Sequence, residues 1–170
     1  MVRIIDTISE LSGKLAAWAF FAIGLSITYE VIMRHFFIMP TIWVDEVSRI
    51  GQVWATYLAG AYALKNRQLI VVELVFKDPN SPWRKASETF ALLVILIFCL
   101  IAVRFGFTEW LDKTLKGAHT DTLLGIPKWM TLSSIWVGFG LLALQALVEL
   151  WRVWTFGVPQ DETDPLKGAH

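Results

Sequence analysis

Residues 40–64 read PTIWVDEVSRIGQVWATYLAGAYAL. Asp45, Glu46 and Arg49 crowd its first third, and no charge occurs from Ile50 to Leu64. Charges are costly in the hydrocarbon of a bilayer and ordinary at its edge. The stretch is therefore either a soluble helix or a membrane helix whose charged head lies at the interface. The rest of the chain decides. Of 170 residues, 55% are hydrophobic and 18% are charged, more apolar and less charged than a soluble domain, for which about 45–50% and about 25% are usual. The expectation is an all-α integral membrane protein.

Four apolar segments carry that expectation: Leu15–Met33, Ile50–Leu64 extended back to Trp43, Thr89–Val103 closed by Arg104, and Trp129–Val148 between Lys128 and Glu149. A helix needs about 20 residues to cross. The first and fourth suffice alone; the second and third reach that length by taking in polar flanks. The spans are expected at about 15–37, 43–64, 86–108 and 129–152, in a single membrane domain covering 1–170. The N-terminal MVRIIDTISELSGK carries Asp6 and Glu10 and is followed by no small-residue cleavage pattern. It is expected to be a short amphipathic lead to a retained first span, not a signal peptide.

Lysine and arginine set the orientation. Nine fall on the side of the termini (Arg3, Lys14, five within residues 65–85, Arg152 and Lys167) against six on the other (Arg34, Arg49, Arg104, Lys113, Lys116 and Lys128). Both termini are therefore expected in the cytoplasm. Six of the nine tryptophans, Trp43, Trp83, Trp110, Trp129, Trp151 and Trp154, lie near the expected ends, where an amphipathic ring prefers the headgroup zone. Trp18, Trp54 and Trp136 lie within spans and are expected to pack or to face lipid.

Between spans two and three, LIVVELVF at 69–76 is too short to cross and suits a segment lying on the cytoplasmic leaflet. DPNSP at 78–82 is a turn. Past Arg104 the third helix is expected to continue to about Lys116 and to stop at Gly117. At ~45 Å it would tilt or protrude from a ~30 Å core. Residues 160–170 are polar and expected to be a loosely ordered tail.

Several classes are excluded. The formal net charge is zero, so no basic excess points to nucleic acid. Cys99 is the one cysteine, and His35, His119 and His170 are scattered, so no metal or haem ligand set forms. No catalytic triad or phosphate loop occurs, and no cofactor is expected.

The remaining charges each admit two readings. Glu30 and Arg34, one turn apart, suit either an ion relay or a self-satisfied interfacial pair. Thr41 is a candidate N-cap, Asp45 and Glu46 would complement the helix dipole, and Glu46 can pair with Arg49 at i,i+3. These residues are either a capped helix start or a partner contact. Gly51, Ala55, Ala59 and Ala63, with Gly60 beside them, form a small-residue stripe, and Ser134 with Gly138 forms a shorter one in span four. Such stripes allow close helix approach, within this chain or against another membrane protein.

Residues 34–74, RHFFIMPTIWVDEVSRIGQVWATYLAGAYALKNRQLIVVEL, resemble the small membrane subunit, of the DctQ type, of tripartite ATP-independent periplasmic (TRAP) transporters. The shared pattern falls on Arg34, Pro40, Trp43, Asp45, Glu46, Arg49, Trp54 and Leu58–Ala61, followed by Lys65 and LIVVEL; GIPKW at 125–129 also fits. One departure stands out. Leu69 occupies a position where the family often has His, and Glu73 stands where Asp is usual. Whatever that His does is not carried over.

The resemblance implies a transporter component in a bacterial inner membrane. A large multi-span, elevator-type subunit would hold the substrate and sodium sites. This chain would be its fixed scaffold, and a periplasmic binding protein would deliver an organic acid. The subunit interface is then expected at Arg34, Trp43, Asp45, Glu46, Arg49, Gly51, Trp54, Ala55, Ala59, Gly60 and Ala63. Binding-protein docking is expected at Arg104, Lys113, Lys116 and Lys128, with lipid around the spans and no substrate site in this chain. Two rivals stand beside it: a self-sufficient proton-coupled exporter using Glu30, and an anchor for another membrane complex.

Overall fold

The computed structural model describes residues 2–39, 41–66, 82–122 and 124–155. These form four helices, α1 (Val2–Phe36), α2 (Ile42–Lys65), α3 (Pro82–Leu115) and α4 (Lys128–Thr155). Helices α1, α3 and α4 are long and apolar enough to cross a membrane. Helix α2 is built instead from Gly, Ala, Tyr and Trp below a charged head, a composition suited to packing on protein rather than to lipid alone.

The helix limits follow local signals. α1 is one continuous helix of 35 residues, which takes in both the amphipathic lead and the first apolar segment. Two of its polar residues face protein: Ser9 and Ser12 are buried, as is Ala16 one turn on. α3 opens on Pro82, four residues before the expected start, where a missing N–H costs nothing. It ends as expected at Gly117, whose φ of 57° turns the chain while the Ala118 N–H reaches the Lys113 carbonyl at 3.0 Å. Each of α1 and α3 is ~50 Å long, well beyond a ~30 Å hydrocarbon core. The segment at 69–76, the turn residues 78–81 and the tail at 160–170 lie outside the described residues.

The helices stand in an open row, in the order α1, α2, α4, α3. α1 packs on α2, α2 on α4 and α4 on α3; α4 also touches α1, whereas α3 meets neither α1 nor α2. Gly13 faces Tyr62 and Gly51 faces Ile23, so α1 and α2 run antiparallel. Gly138 faces Tyr57 and Gly60 faces Leu142, so α2 and α4 run parallel. A Cβ at Gly138 would lie 2.4 Å from the Tyr57 Cβ and 3.1 Å from its carbonyl; only glycine lets these two backbones approach so closely. Phe139 on α4 sits between Tyr57 on α2 and Phe98 on α3, at ring separations of 5.2 and 5.5 Å. These edge and tilted contacts tie α2, α4 and α3 together.

One end of the row carries the starts of α1 and α3 and the ends of α2 and α4. It is called the terminal end here, and the opposite one the loop end. An apolar cluster of buried residues, Leu64, Leu92, Ala146 and Val153, lies near the terminal end. The outer faces of α1 and α3 leave large apolar side chains such as Trp18, Phe21, Phe98 and Phe105 exposed.

Candidate functional site at the loop end

Glu30 is buried in the last turns of α1. One oxygen accepts from Arg34 Nη2 at 2.5 Å and Nε at 3.2 Å; the other accepts the Thr41 backbone N–H at 2.9 Å. Arg34 also reaches Asp45 at 3.6 Å. The pair inferred from i,i+4 spacing is thus present, and it does more than neutralise. It closes the connection between α1 and α2. A relay carboxylate would need to be free, and both oxygens of Glu30 are engaged.

Thr41 occupies the N-cap position, with φ −97° and ψ 91°, but its hydroxyl makes no capping bond and is buried without a partner. The cap expectation is right in position and wrong in chemistry. Asp45 supplies the acid of the first turn.

Glu46 does not pair with Arg49. Its two oxygens accept the Thr122 hydroxyl at 2.9 Å and the Leu124 backbone N–H at 3.1 Å, both from the connection between α3 and α4. That connection is itself a clasp. The Thr120 N–H bonds Ile126 and the Lys128 N–H bonds Ala118, each at 2.9 Å. Glu46 was free to satisfy either partner, and a backbone N–H with no other acceptor takes precedence over a side-chain ion pair on the chain's exposed face. Among the described residues Arg49 is left without a hydrogen-bond or ion-pair partner.

Trp54, expected to pack or face lipid and to lie at the subunit interface, donates its indole N–H to the Met130 carbonyl at 2.8 Å and fixes α2 against the first turn of α4. Trp43 is exposed at the head of α2. In the small-residue stripe, Gly51 lies against Ile23 and Ala55 is fully buried; Ala59, Gly60 and Ala63 are half-buried. The upper part of the stripe is thus occupied by this chain's own α1.

Of the expected docking cations, Lys113 pairs with Glu109 at 3.4 Å, Lys116 with Asp112 at 2.7 Å and Lys128 with Asp121 at 3.8 Å. Arg104 is exposed on α3. Lys113 and Lys128 come together with Arg49 and Glu46 around a cavity of about 340 Å³ between α2, α3 and the clasp. Arg104 and Lys116 do not line it.

A second polar centre, at the terminal end, was not foreseen. Gln145, fully buried on α4, accepts from Ser9 at 2.8 Å and donates to Asp6 at 3.3 Å and to Glu149 at 3.1 Å. Arg152 bonds Glu149 at 2.7 Å and also Asp6. Beside it Lys65 meets Glu10 at 3.1 Å. The signal was legible in principle: Gln145, Glu149 and Arg152 share one face of an otherwise apolar helix. Among the described residues no group of His, Cys, Asp and Glu could hold a metal ion.

The arrangement is structural rather than chemical: polar groups at both ends staple neighbouring helices. Residues 23–156 match the model of the family "Tripartite ATP-independent periplasmic transporters, DctQ component". The chain belongs to this family. As a DctQ component it is a membrane protein from a family of transporters. It is similar to the isethionate TRAP transporter permease protein DctMQ of Oleidesulfovibrio alaskensis, 26% identical over 136 residues, which is 76% of this chain and 21% of that protein. It is also similar to the sialic acid TRAP transporter permease protein SiaT of Haemophilus influenzae, 23% identical over 145 residues, 85% of this chain and 22% of that protein. The DctQ chain therefore spans about a fifth of the length of these relatives.

Proposed function

We propose that this chain is the scaffold subunit of a sodium-driven secondary transporter that imports an organic acid. It packs against a large elevator-type transport subunit and meets a periplasmic binding protein that delivers the substrate. The observation that carries this reading is the open row of helices. α3 meets neither α1 nor α2, so the described helices enclose no central path, and Glu30 is engaged through both oxygens. Such an array suits a wall against which another subunit moves. The chain lies in a bacterial inner membrane as a multi-pass protein, with α2 as a fourth span and both termini cytoplasmic.

In this reading the loop end faces the periplasm. Arg34, Trp43, Asp45, Glu46, Arg49, Trp54 and the stripe from Gly51 to Ala63 lie at or behind the contact with the large subunit. Arg104, Lys113, Lys116 and Lys128 face the binding protein. The test is to express the chain with and without a large multi-span partner. Co-purification as a complex, and sodium-dependent uptake only when the large subunit and binding protein are present, is the expected result. A stable monomer that alone supports uptake into liposomes overturns the proposal.

A further inference from the structure

We propose that the loop-end cavity binds the phosphate-bearing headgroup of an anionic phospholipid, with an acyl chain lying in the groove between α2 and α3. The inference requires that the chain be a membrane protein and does not depend on the transporter reading. α2 and α3 both pack on α4 and not on each other, so a groove runs between them with α4 as its floor. At the loop end it opens into the cavity of about 340 Å³, within the size range of small-molecule sites.

The cavity lining carries Arg49, Lys113 and Lys128 against Glu46 and Glu109, an excess of positive charge. Glu46 already accepts two hydrogen bonds. Arg49 has no polar partner among the described residues. Lys113 and Lys128 reach their acids only at 3.4 and 3.8 Å, well beyond the ~2.7–2.9 Å of a charge-assisted hydrogen bond. The Thr120 and Thr131 side chains also line the space. Below the cations the lining turns apolar, with Ile50 and Leu132. Further along the floor, Phe139 bridges Tyr57 and Phe98. A polar anionic head over an apolar tail fits this sequence of surfaces; a wholly soluble anion would leave the lower half unfilled.

Depth supports the same occupant. Arg49 stands six residues past Trp43, ~9 Å along the helix. With Trp43 in the headgroup zone, the Arg49 backbone lies just below that zone, and its long side chain reaches back up to the lipid phosphates and glycerols. An unpaired cation there is costly unless it meets an anion, and bidentate phosphate binding is what a guanidinium does best.

The test is native mass spectrometry of the full chain, in the membrane complex it forms, after stepwise delipidation. Phosphatidylglycerol, phosphatidylcholine and water-soluble glycerol phosphate are added back in parallel. Phosphatidylglycerol should be retained, phosphatidylcholine should be lost, and glycerol phosphate should not compete. Arg49→Ala should weaken retention about tenfold, the scale of losing one hydrogen bond to a charged group. If Arg49→Ala does not assemble, the double variant Lys113→Ala/Lys128→Ala and the groove-filling Leu132→Trp carry the same expectation. Lys116→Ala, off the cavity, should change nothing. Equal retention of phosphatidylglycerol by wild type and these variants, equal retention of both lipids, or displacement by glycerol phosphate overturns the proposal.

Discussion

Glu46 in the second turn of α2 accepts the backbone N–H of Leu124 at 3.1 Å, joining two segments 78 residues apart. A carboxylate on one helix thereby holds the connection between the two helices that follow it. Glu46→Ala should free the Leu124 amide and loosen the clasp. The site is partly exposed, so the expected loss of stability is small, about 1 kcal/mol. Hydrogen exchange is the sharper readout: the Leu124 amide should exchange at least tenfold faster. Unchanged protection would mean that the clasp stands without Glu46.

Gly138 and Gly140 lie one turn-half apart on α4 and should respond oppositely to alanine. At Gly138 the new methyl would meet the Tyr57 Cβ and main chain, at 2.4 and 3.1 Å. Because part of that obstacle is backbone, Tyr57→Ala should not rescue it. Overpacking of this kind costs about 1–3 kcal/mol. At Gly140 nothing lies within 4 Å, and alanine should be neutral or slightly stabilising through helix propensity. Unfolding midpoints in mixed detergent measure both. Equal midpoints for the two variants would contradict the close α2–α4 crossing.

These residues also show what could be read from sequence. The apolar runs and their flanking charges located all four helices, and α2 begins and ends within one residue of the expected 43–64. Spacing along one helix found the Glu30–Arg34 pair, because i,i+4 neighbours meet in any helix. It misassigned Glu46, whose partners lie in the clasp, and it did not show what Asp6, Ser9 and Glu10 in the amphipathic lead would meet. Those three are satisfied by Gln145, Arg152 and Lys65, and a polar face without a visible partner looks like a face for water. The order α1, α2, α4, α3 left no mark in any single helix, because it is set by glycine contacts between helices distant in sequence.

Arg152 satisfies Asp6 and Glu149 together, so its removal should cost more than an ordinary surface charge. Arg152→Ala leaves a buried Glu149 short of its cation. Breaking a fully buried pair costs about 3–5 kcal/mol. Arg152 is 28% exposed, so solvent screening lowers the expectation to about 2 kcal/mol. Adding Asp6→Asn should recover part of the loss, since it removes one of the two unmatched carboxylates. Thermal unfolding of the single and double variants tests the coupling; strict additivity would show that Asp6 and Arg152 act separately.

Glu30 separates a structural carboxylate from a working one. Glu30→Gln keeps an oxygen able to accept the Thr41 N–H but sets an NH2 donor against Arg34, so it loses the charge and the Arg34 hydrogen bonds. Stability should fall by about 1 kcal/mol, while Glu30→Ala, which also orphans the Thr41 N–H, should lose about 2 kcal/mol. Uptake by the assembled transporter should persist in Glu30→Gln at close to the wild-type rate, because the geometry gives this group a part in closing the α1–α2 connection and none in carrying a proton. The measurement is sodium-dependent uptake into vesicles, normalised to assembled complex. If the glutamine variant assembles normally yet transports nothing, the carboxylate itself is at work, and the role assigned to Glu30 is wrong.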